Sequence, residues 1–342
     1  MNTGKKFNPT SMEYRKLGSA DLELSVVTFG AWAAGGMMWG GTNHQASVDA
    51  MRASYDLGVT TFDTAPVYGM GYSEQLVGEA IKGLPRDRVQ LLTKFGLSWD
   101  NTLGEYYFDT VGNDGKPVHI YRNARKEFII KECEASLKQL GTDYIDLYQI
   151  HWSDPTTPVS ESMEAVAKLI EQGKVRFAGV CNYSVELMEE ASNYVSIVSE
   201  QVPYSMVKRG IEAEIIPYCQ HQGLGILAYS PLQRGLLTGK MHPGHAFEPN
   251  DSRIGQVWYK DENLKRINAF LKKLEPLAES KNASIGQLVI RWTLEQPGIT
   301  VALVGARNTA QAIQNAEAAL IHLNAEELTF ISAELQKVNL IS

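Results

Sequence analysis

The sequence predicts an α/β fold, a single-domain (β/α)8 TIM barrel with an N-terminal β-hairpin and a C-terminal extra helix. Three observations predict it. Eight short apolar runs rich in β-branched residues alternate with amphipathic segments along 342 residues, and such alternation means parallel strands joined by crossover helices. Helix-to-strand connections are a few residues long, whereas the strand-to-helix connections at 31–42, 96–123 and 230–262 are long; loops of that length inside a compact domain are usually functional and fall on the C-terminal face of a barrel. An open, doubly wound sheet is the runner-up, but its Gly-x-Gly-x-x-Gly fingerprint is missing, since Gly69-Met-Gly71 fails at the third glycine.

The elements follow in order. Residues 1–12 read as a loose arm, with the barrel domain expected over 13–342. Segments 14–17 and 22–24, separated by Gly18-Ser-Ala-Asp21, read as a hairpin. A first buried strand at 26–30 leads into a glycine-rich loop with aromatics, then a helix whose Val48, Met51 and Tyr55 share a face. Strands then fall at 59–63, 89–95, 145–151, 175–180, 197–201, 225–229 and 300–304. The helices between them are placed at 73–81, 125–140, 160–172, 185–194, 211–222, 264–280, 284–295 and 309–320. A last amphipathic helix carries Leu328, Ile331 and Leu335. Glycines just past several helix ends supply the left-handed position that stops a helix before the next strand.

Composition narrows the partners. Hydrophobic residues make up 44% and charged residues 21%, ordinary for a globular chain. A net charge of -7 argues against a general affinity for nucleic acid or anionic membranes. Cys133, Cys181 and Cys219 have no zinc-like or CxxC spacing, which favours a reducing compartment. The first residues lack a secretory apolar core, and no run approaches the ~18 apolar residues of a membrane span. A cytoplasmic protein is expected. Its histidines have no metal-ligand spacing, so no metal is expected, and the Gly-x-Ser-x-Gly nucleophile elbow is absent.

The chemistry sits at the ends of three successive strands. The run Val59-Thr-Thr-Phe-Asp-Thr-Ala-Pro-Val-Tyr-Gly69 delivers Asp63 and Tyr68, the next strand ends at Lys94, and the one after it ends at His151. Singly, each has an ordinary reading: a capping carboxylate, a packed tyrosine, a solvated lysine, a structural histidine. Together they form a set. A phenol has a reference pKa of ~10, and an adjacent ammonium lowers it. Lys94, held by Asp63, is thus expected to tune Tyr68 as a general acid toward a nascent alkoxide, with a neutral His151 orienting the carbonyl.

These residues resemble a known family. Asp63-Thr-Ala-Pro-Val-Tyr68-Gly, Thr93-Lys94, Gln149-Ile-His151, Gly179-Val-Cys-Asn182-Tyr-Ser and Tyr229-Ser-Pro-Leu232 are similar, in order, to motifs of the aldo/keto reductase superfamily. The Gly235-Leu-Leu-Thr-Gly-Lys240 and Val304-Gly-Ala-Arg-Asn308 segments look most like bacterial reductases and potassium-channel β-subunits. The resemblance implies an enzyme that reduces an aldehyde or ketone with NADPH, the catalytic tetrad being Asp63, Tyr68, Lys94 and His151. It implies that Asn182 and Gln201 hold the nicotinamide carboxamide, with Tyr229 stacked on the ring. Ribose and pyrophosphate contacts fall on Ala31, Trp32, Ser230, Leu232, Gln233, Arg234 and Lys240, and adenosine contacts on Gly305, Arg307, Gln311 and Asn315. Arg253 is a further phosphate candidate.

Two departures matter. Many relatives have Ser where this chain has Cys181, and aldose-reductase-type members have a Lys-Ser pair where it has Gly305-Ala306. The second leaves NADH use open beside NADPH. Trp39 and Trp152 are assigned to the pocket for a small-molecule carbonyl substrate, while Trp99, Tyr106 and Tyr107 divide evenly between pocket and loop packing. Acidic residues in 96–123 lean toward a hydroxylated substrate. A cofactor-bound regulatory subunit with slow or incidental turnover is the alternative function, and the oligomeric state stays open.

Overall fold

The structure, a computed structural model, describes residues 12–341. Eight parallel strands close into a barrel: β3 (Val27–Gly30), β4 (Thr61–Asp63), β5 (Gln90–Phe95), β9 (Ile145–Ile150), β10 (Val175–Cys181), β11 (Ile197–Pro203), β12 (Gly225–Tyr229) and β13 (Ile299–Val304). Their order around the barrel follows the chain, with β13 pairing back onto β3. The expected single-domain barrel is therefore the fold.

Two apolar layers hold it. Between barrel and helices lies the larger core, where Val48, Met51, Leu76, Cys133, Leu137 and Trp292 meet the outward faces of the strands. Inside the barrel, Leu92, Leu147, Val198, Leu227, Val301 and Leu303 pack with Leu17, Ala20, Leu22 and Leu24. The latter belong to the N-terminal hairpin, β1 (Tyr14–Lys16) and β2 (Glu23–Ser25), which plugs the barrel floor. Gly18 turns there at φ +57, and a Cβ on it would lie 2.2 Å from the Gly223 carbonyl oxygen. Close backbone approach therefore demands glycine at that corner. Met12, assigned by sequence to the loose arm, is instead buried in the core; residues 1–11 of that arm lie outside the described residues.

The helices on the barrel's outside are α1 (His44–Asp56), α2 (Tyr72–Ile81), α3 (Lys126–Leu140), α4 (Val159–Glu171), α5 (Val185–Ser192), α6 (Ile215–Gln222), α7 (Asp261–Ser280), α8 (Ile285–Leu294) and α9 (Thr309–Glu317), with α10 (Ala325–Leu335) the extra C-terminal one. The helix expected over 211–222 is split. A 3-10 turn covers Gly210–Glu212, and α6 starts only at Ile215. Pro217 is the reason, because its ring excludes a helical carbonyl four residues earlier and fits only in a first turn. The end expected to continue to residue 320 does so as a 3-10 turn, Ala318–Leu320.

The largest departure lies in 96–123, expected as a loop. It folds into a three-stranded antiparallel sheet of β6 (Leu97–Ser98), β7 (Glu105–Val111) and β8 (Pro117–Arg122) beside the barrel mouth. Aromatic and β-branched residues on either side of the Asp114-Gly115 turn were the hairpin signal. Among the described residues, no helix is long and apolar enough to cross a membrane.

Candidate active site

The C-terminal ends of β4, β5 and β9 bring the predicted quartet together. Lys94 is fully buried; its Nζ donates to Asp63 Oδ1 at 2.6 Å and to the Thr64 carbonyl at 2.9 Å. The same Nζ lies 5.1 Å from the Tyr68 ring centroid. Tyr68 Oη and His151 Nε2 are 3.4 Å apart, with their rings edge to face. Both residues line a cleft of about 740 Å³, whereas Lys94 sits beneath its floor.

The electrostatics differ from the expectation in one respect. Lys94 was expected to lower the pKa of Tyr68. Burial outweighs it and pushes the phenol up to about 12, with Lys94 acting only as an opposing influence. Desolvation and the Lys94 charge hold His151 well below the usual histidine range, so its imidazole is neutral. Desolvation opposes the charge on Lys94, but Asp63 and then Tyr68 outweigh it and hold the ammonium above the usual lysine range. The arrangement presents a protonated phenol and a neutral imidazole side by side over a buried ammonium. Such an arrangement can donate a proton.

Asn182, Gln201 and Tyr229 also line the cleft, but each has internal partners. The Tyr229 hydroxyl donates to Asn182 Oδ1 at 2.9 Å, and Asn182 Nδ2 donates to the His151 carbonyl at 3.1 Å. Gln201 Nε2 donates to Asp63 Oδ2 at 2.8 Å and to Gln149 Oε1 at 3.3 Å. Both of its N–H groups are thus spent, leaving its carbonyl oxygen as an acceptor. Non-glycine residues in the left-handed region gather here: Asn182, Ser230, Gln233 and Arg234 have φ of 58°, 57°, 45° and 51°. Such backbone is costly and tends to cluster at functional sites.

Cations line the rest of the cleft. Arg234 stacks over Trp32 at 4.8 Å, and Arg253 over Trp39 at 5.0 Å. Lys240 and Arg307 are exposed lining residues, and Gln311 Oε1 accepts from the Arg307 backbone N–H at 2.9 Å. Asn315 Nδ2 donates to the Gly305 carbonyl. Arg253 is partly spent on Asp251, with Nε–Oδ1 at 2.8 Å and Nη2–Oδ2 at 2.6 Å. Trp32, Ser230 and Leu232 line the cleft as well. Two expected contacts do not reach it. Ala31 is buried, its N–H on Asp63 and its carbonyl accepting from Gly35 and Ser73. Gln233 is buried, and its Oε1 accepts from the Ser205 hydroxyl.

These residues fit a nicotinamide dinucleotide. An aromatic ring and amide side chains stand beside the proton donors, cations line the remainder, and the Trp39 indole N–H in the wall has no partner among the described residues. Trp39 and Trp152 both line the cleft. Sequence reasoning missed Met37, Val67, Leu97 and Phe108, and left Tyr107 undecided; all five line it too. The acidic residues Asp100, Glu105, Asp109 and Asp114, which leaned the reading toward a hydroxylated substrate, are not among the lining residues. A register shift in β7 between Tyr106 and Phe108 lets both Tyr107 and Phe108 line the cleft, while Tyr106 is exposed.

A parallel eight-stranded barrel carrying such a site on its C-terminal face defines a barrel oxidoreductase class. The profile of the Aldo/keto reductase family matches residues 26–335, and the chain belongs to that family. It is 38% identical to the aldo-keto reductase YhdN of Bacillus subtilis (strain 168) over 327 residues, 95% of this chain and 94% of that one. It is 33% identical to the NADH-specific methylglyoxal reductase of Escherichia coli (strain K12), covering 92% of this chain and 96% of the relative. Among solved structures, the glycerol dehydrogenase AKR11B4 from Gluconobacter oxydans superposes with a TM-score of 0.85 at 36% identity, covering 96% and 97% of the two chains. The protein is an NAD(P)H-dependent oxidoreductase of the aldo/keto reductase type.

Proposed function

We propose that this protein reduces an aldehyde or ketone to an alcohol with NADPH. The cofactor, when bound, supplies the hydride to the carbonyl carbon. Tyr68 Oη gives its proton to the carbonyl oxygen as charge develops there, and the neutral His151 ring orients that oxygen. Lys94, fixed by Asp63, stabilises the phenolate left behind. The observation that carries this reading is the 3.4 Å pair of Tyr68 Oη and His151 Nε2 in the cleft, backed by the buried Lys94–Asp63 pair.

Asn182 and Gln201 are assigned to the nicotinamide carboxamide, and Tyr229 to the ring face. Arg234, Lys240, Arg253 and Arg307 are assigned to the phosphates, where guanidinium groups offer paired donors. Trp32, Ser230, Leu232, Gly305, Gln311 and Asn315 complete the dinucleotide wall. The names of relatives span an NADH-specific reductase, so NADPH preference rests on the cations alone. The wall facing Tyr68 is apolar, made by Met37, Val67, Leu97, Tyr107, Phe108 and Trp152. It favours a carbonyl with an aryl or alkyl substituent over a sugar aldehyde, because buried hydroxyls would lack partners there.

The test follows NADPH and NADH oxidation with an activated aryl aldehyde and small sugar aldehydes, on the native protein beside Tyr68→Phe. Turnover of the aryl aldehyde, lost by about 10³-fold in the variant while cofactor binding by tryptophan fluorescence is unchanged, is the expected result. Tight NADPH binding without turnover of any aldehyde would instead favour a cofactor-bound regulatory subunit.

A further inference from the structure

Behind the barrel wall, on the side away from the cleft, the first turn of α2 touches the chain neighbours of both partners of the Asp63–Lys94 pair. Ser73 and Glu74 are both buried. The Thr64 hydroxyl, next to Asp63, donates to Ser73 Oγ at 2.9 Å. The Thr93 hydroxyl, next to Lys94, donates to Glu74 Oε1 at 2.7 Å. Successive residues of a strand point to opposite faces, so Thr93 faces the helices while Lys94 faces the barrel interior. A second buried carboxyl, Glu132 of α3, accepts from the Gly96 N–H at 2.8 Å where β5 ends. Two carboxyls thus grip the strand before and after Lys94.

We infer that Glu74 is a positioning residue for Lys94, acting through Thr93, and that the charge state of Glu74 sets how strong an acid Tyr68 is. The inference rests on the reductase reading above. Charged and titratable groups facing Glu74 are Lys94 from β5, Glu132 and Cys133 from α3, and Tyr148 from β9. The Ser136 hydroxyl of α3 lies near its carboxyl and has no hydrogen-bond partner among the described residues. Burial raises Glu74 to about 7, against the opposing pull of Thr93, Ser136 and Lys94. The titrations of Tyr68 and His151 are displaced to either side of neutrality. Of the two buried carboxyls behind the strand, both raised by burial, Glu74 is the one that feels the Lys94 charge. Its anion puts a second negative charge behind the ammonium, offsets the support Lys94 gives a Tyr68 phenolate, and slows proton donation.

The test compares the native protein with Glu74→Gln, which keeps the acceptor for Thr93 but cannot ionise, and Glu74→Leu, which keeps neither. Reductive kcat of the native protein should fall roughly three-fold as pH rises through neutrality, and the glutamine variant should hold the acid-side rate throughout. The leucine variant should lose about ten-fold in kcat at every pH, with NADPH affinity unchanged and a cooperative melt. Identical pH profiles for the native and glutamine proteins, or a folded leucine variant with native kcat, would overturn the inference. Infrared difference spectroscopy across neutrality needs no turnover. It should show a protonated-carboxyl stretch that disappears on the alkaline side in the native protein and has no counterpart in Glu74→Gln. Its absence sinks the inference whether or not any carbonyl is reduced. A band without turnover overturns the reductase reading, and with it the link to Tyr68.

Discussion

Two ion pairs flank the cleft at the same 2.6 Å separation, and they do different work. Lys94–Asp63 joins the ends of neighbouring barrel strands, with side chains 1% and 4% exposed. Its remaining hydrogen bonds run to Thr64, Gln149 and Gln201, all inside the barrel mouth. Arg253–Asp251 lies within the long loop after β12. There Arg253 Nη1 donates to the Arg234 carbonyl at 3.0 Å, its plane covers Trp39 and Phe247, and the Ser252 N–H reaches the Met38 carbonyl. The strand pair is held by two register-locked elements, and in the proposed reaction it would support the Tyr68 phenolate. The loop pair is local in sequence and ties one loop over another, shaping the space a dinucleotide would occupy. Rigid strands carry precision and loops carry fit.

The comparison is broken most severely at Lys94. Lys94→Met leaves the Asp63 carboxylate buried without its partner, so kcat should drop by about 10³-fold and stability by about 3–5 kcal/mol. The Asp63→Asn, Lys94→Met double variant should regain much of the stability and none of the activity. Denaturant melts beside steady-state kinetics check both, and equal stability of the single and double variants would refute the buried-pair argument.

Arg253→Ala should act on binding instead. Loss of its stacking and of the Asp251 pair predicts a roughly ten-fold weaker NADPH Kd with kcat changed less than two-fold. A fall in kcat as large as that from Lys94→Met would erase the distinction between strand and loop.

A smaller effect is expected at Gly104, where a Cβ would lie 1.9 Å from the Arg122 carbonyl oxygen at φ +93. Gly104→Ala should shift β8 and the aromatic wall, raising KM for an aryl aldehyde about three- to ten-fold while Tyr68 chemistry is spared.

The smallest effect is a stability slope. His151 is held below the usual 6.5, so below that pH the unfolded chain binds a proton that the folded one refuses. Stability then falls as pH drops through about 6.5, the opposite sign to the raised Glu74, whose contribution is lost as pH rises from 4.5 to about 7. The native-minus-His151→Gln difference in melting temperature isolates the histidine part. A difference independent of pH would mean that His151 titrates normally.

Much of the barrel was legible because its signals are local. Apolar runs of strand length, helix-stopping glycines such as Gly141 and Gly223, both left-handed at their helix ends, and long loops on one face specify eight βα units in order. The Asp63, Tyr68, Lys94 and His151 positions were legible for the same reason, since strand ends fix which face they share. The sheet within 96–123 was less so. Polar residues are frequent in its composition, and a register shift between Tyr106 and Phe108 breaks the alternation along β7, so the consecutive Tyr107 and Phe108 both line the cleft while Asp109 stays exposed.

By itself the sequence determined the strand order, the barrel and the four residues on its C-terminal face, because each depends on periodicity and on where a strand stops. Only the tertiary structure decided that Gln201 spends its amide on Asp63, that Ala31 and Gln233 are sealed away from the cleft, and that Tyr68 is pushed up rather than down. Glu74 reaches Lys94 through Thr93 by the same route. Desolvation and partner choice depend on every neighbour in three dimensions, and those neighbours come from segments far apart along the chain.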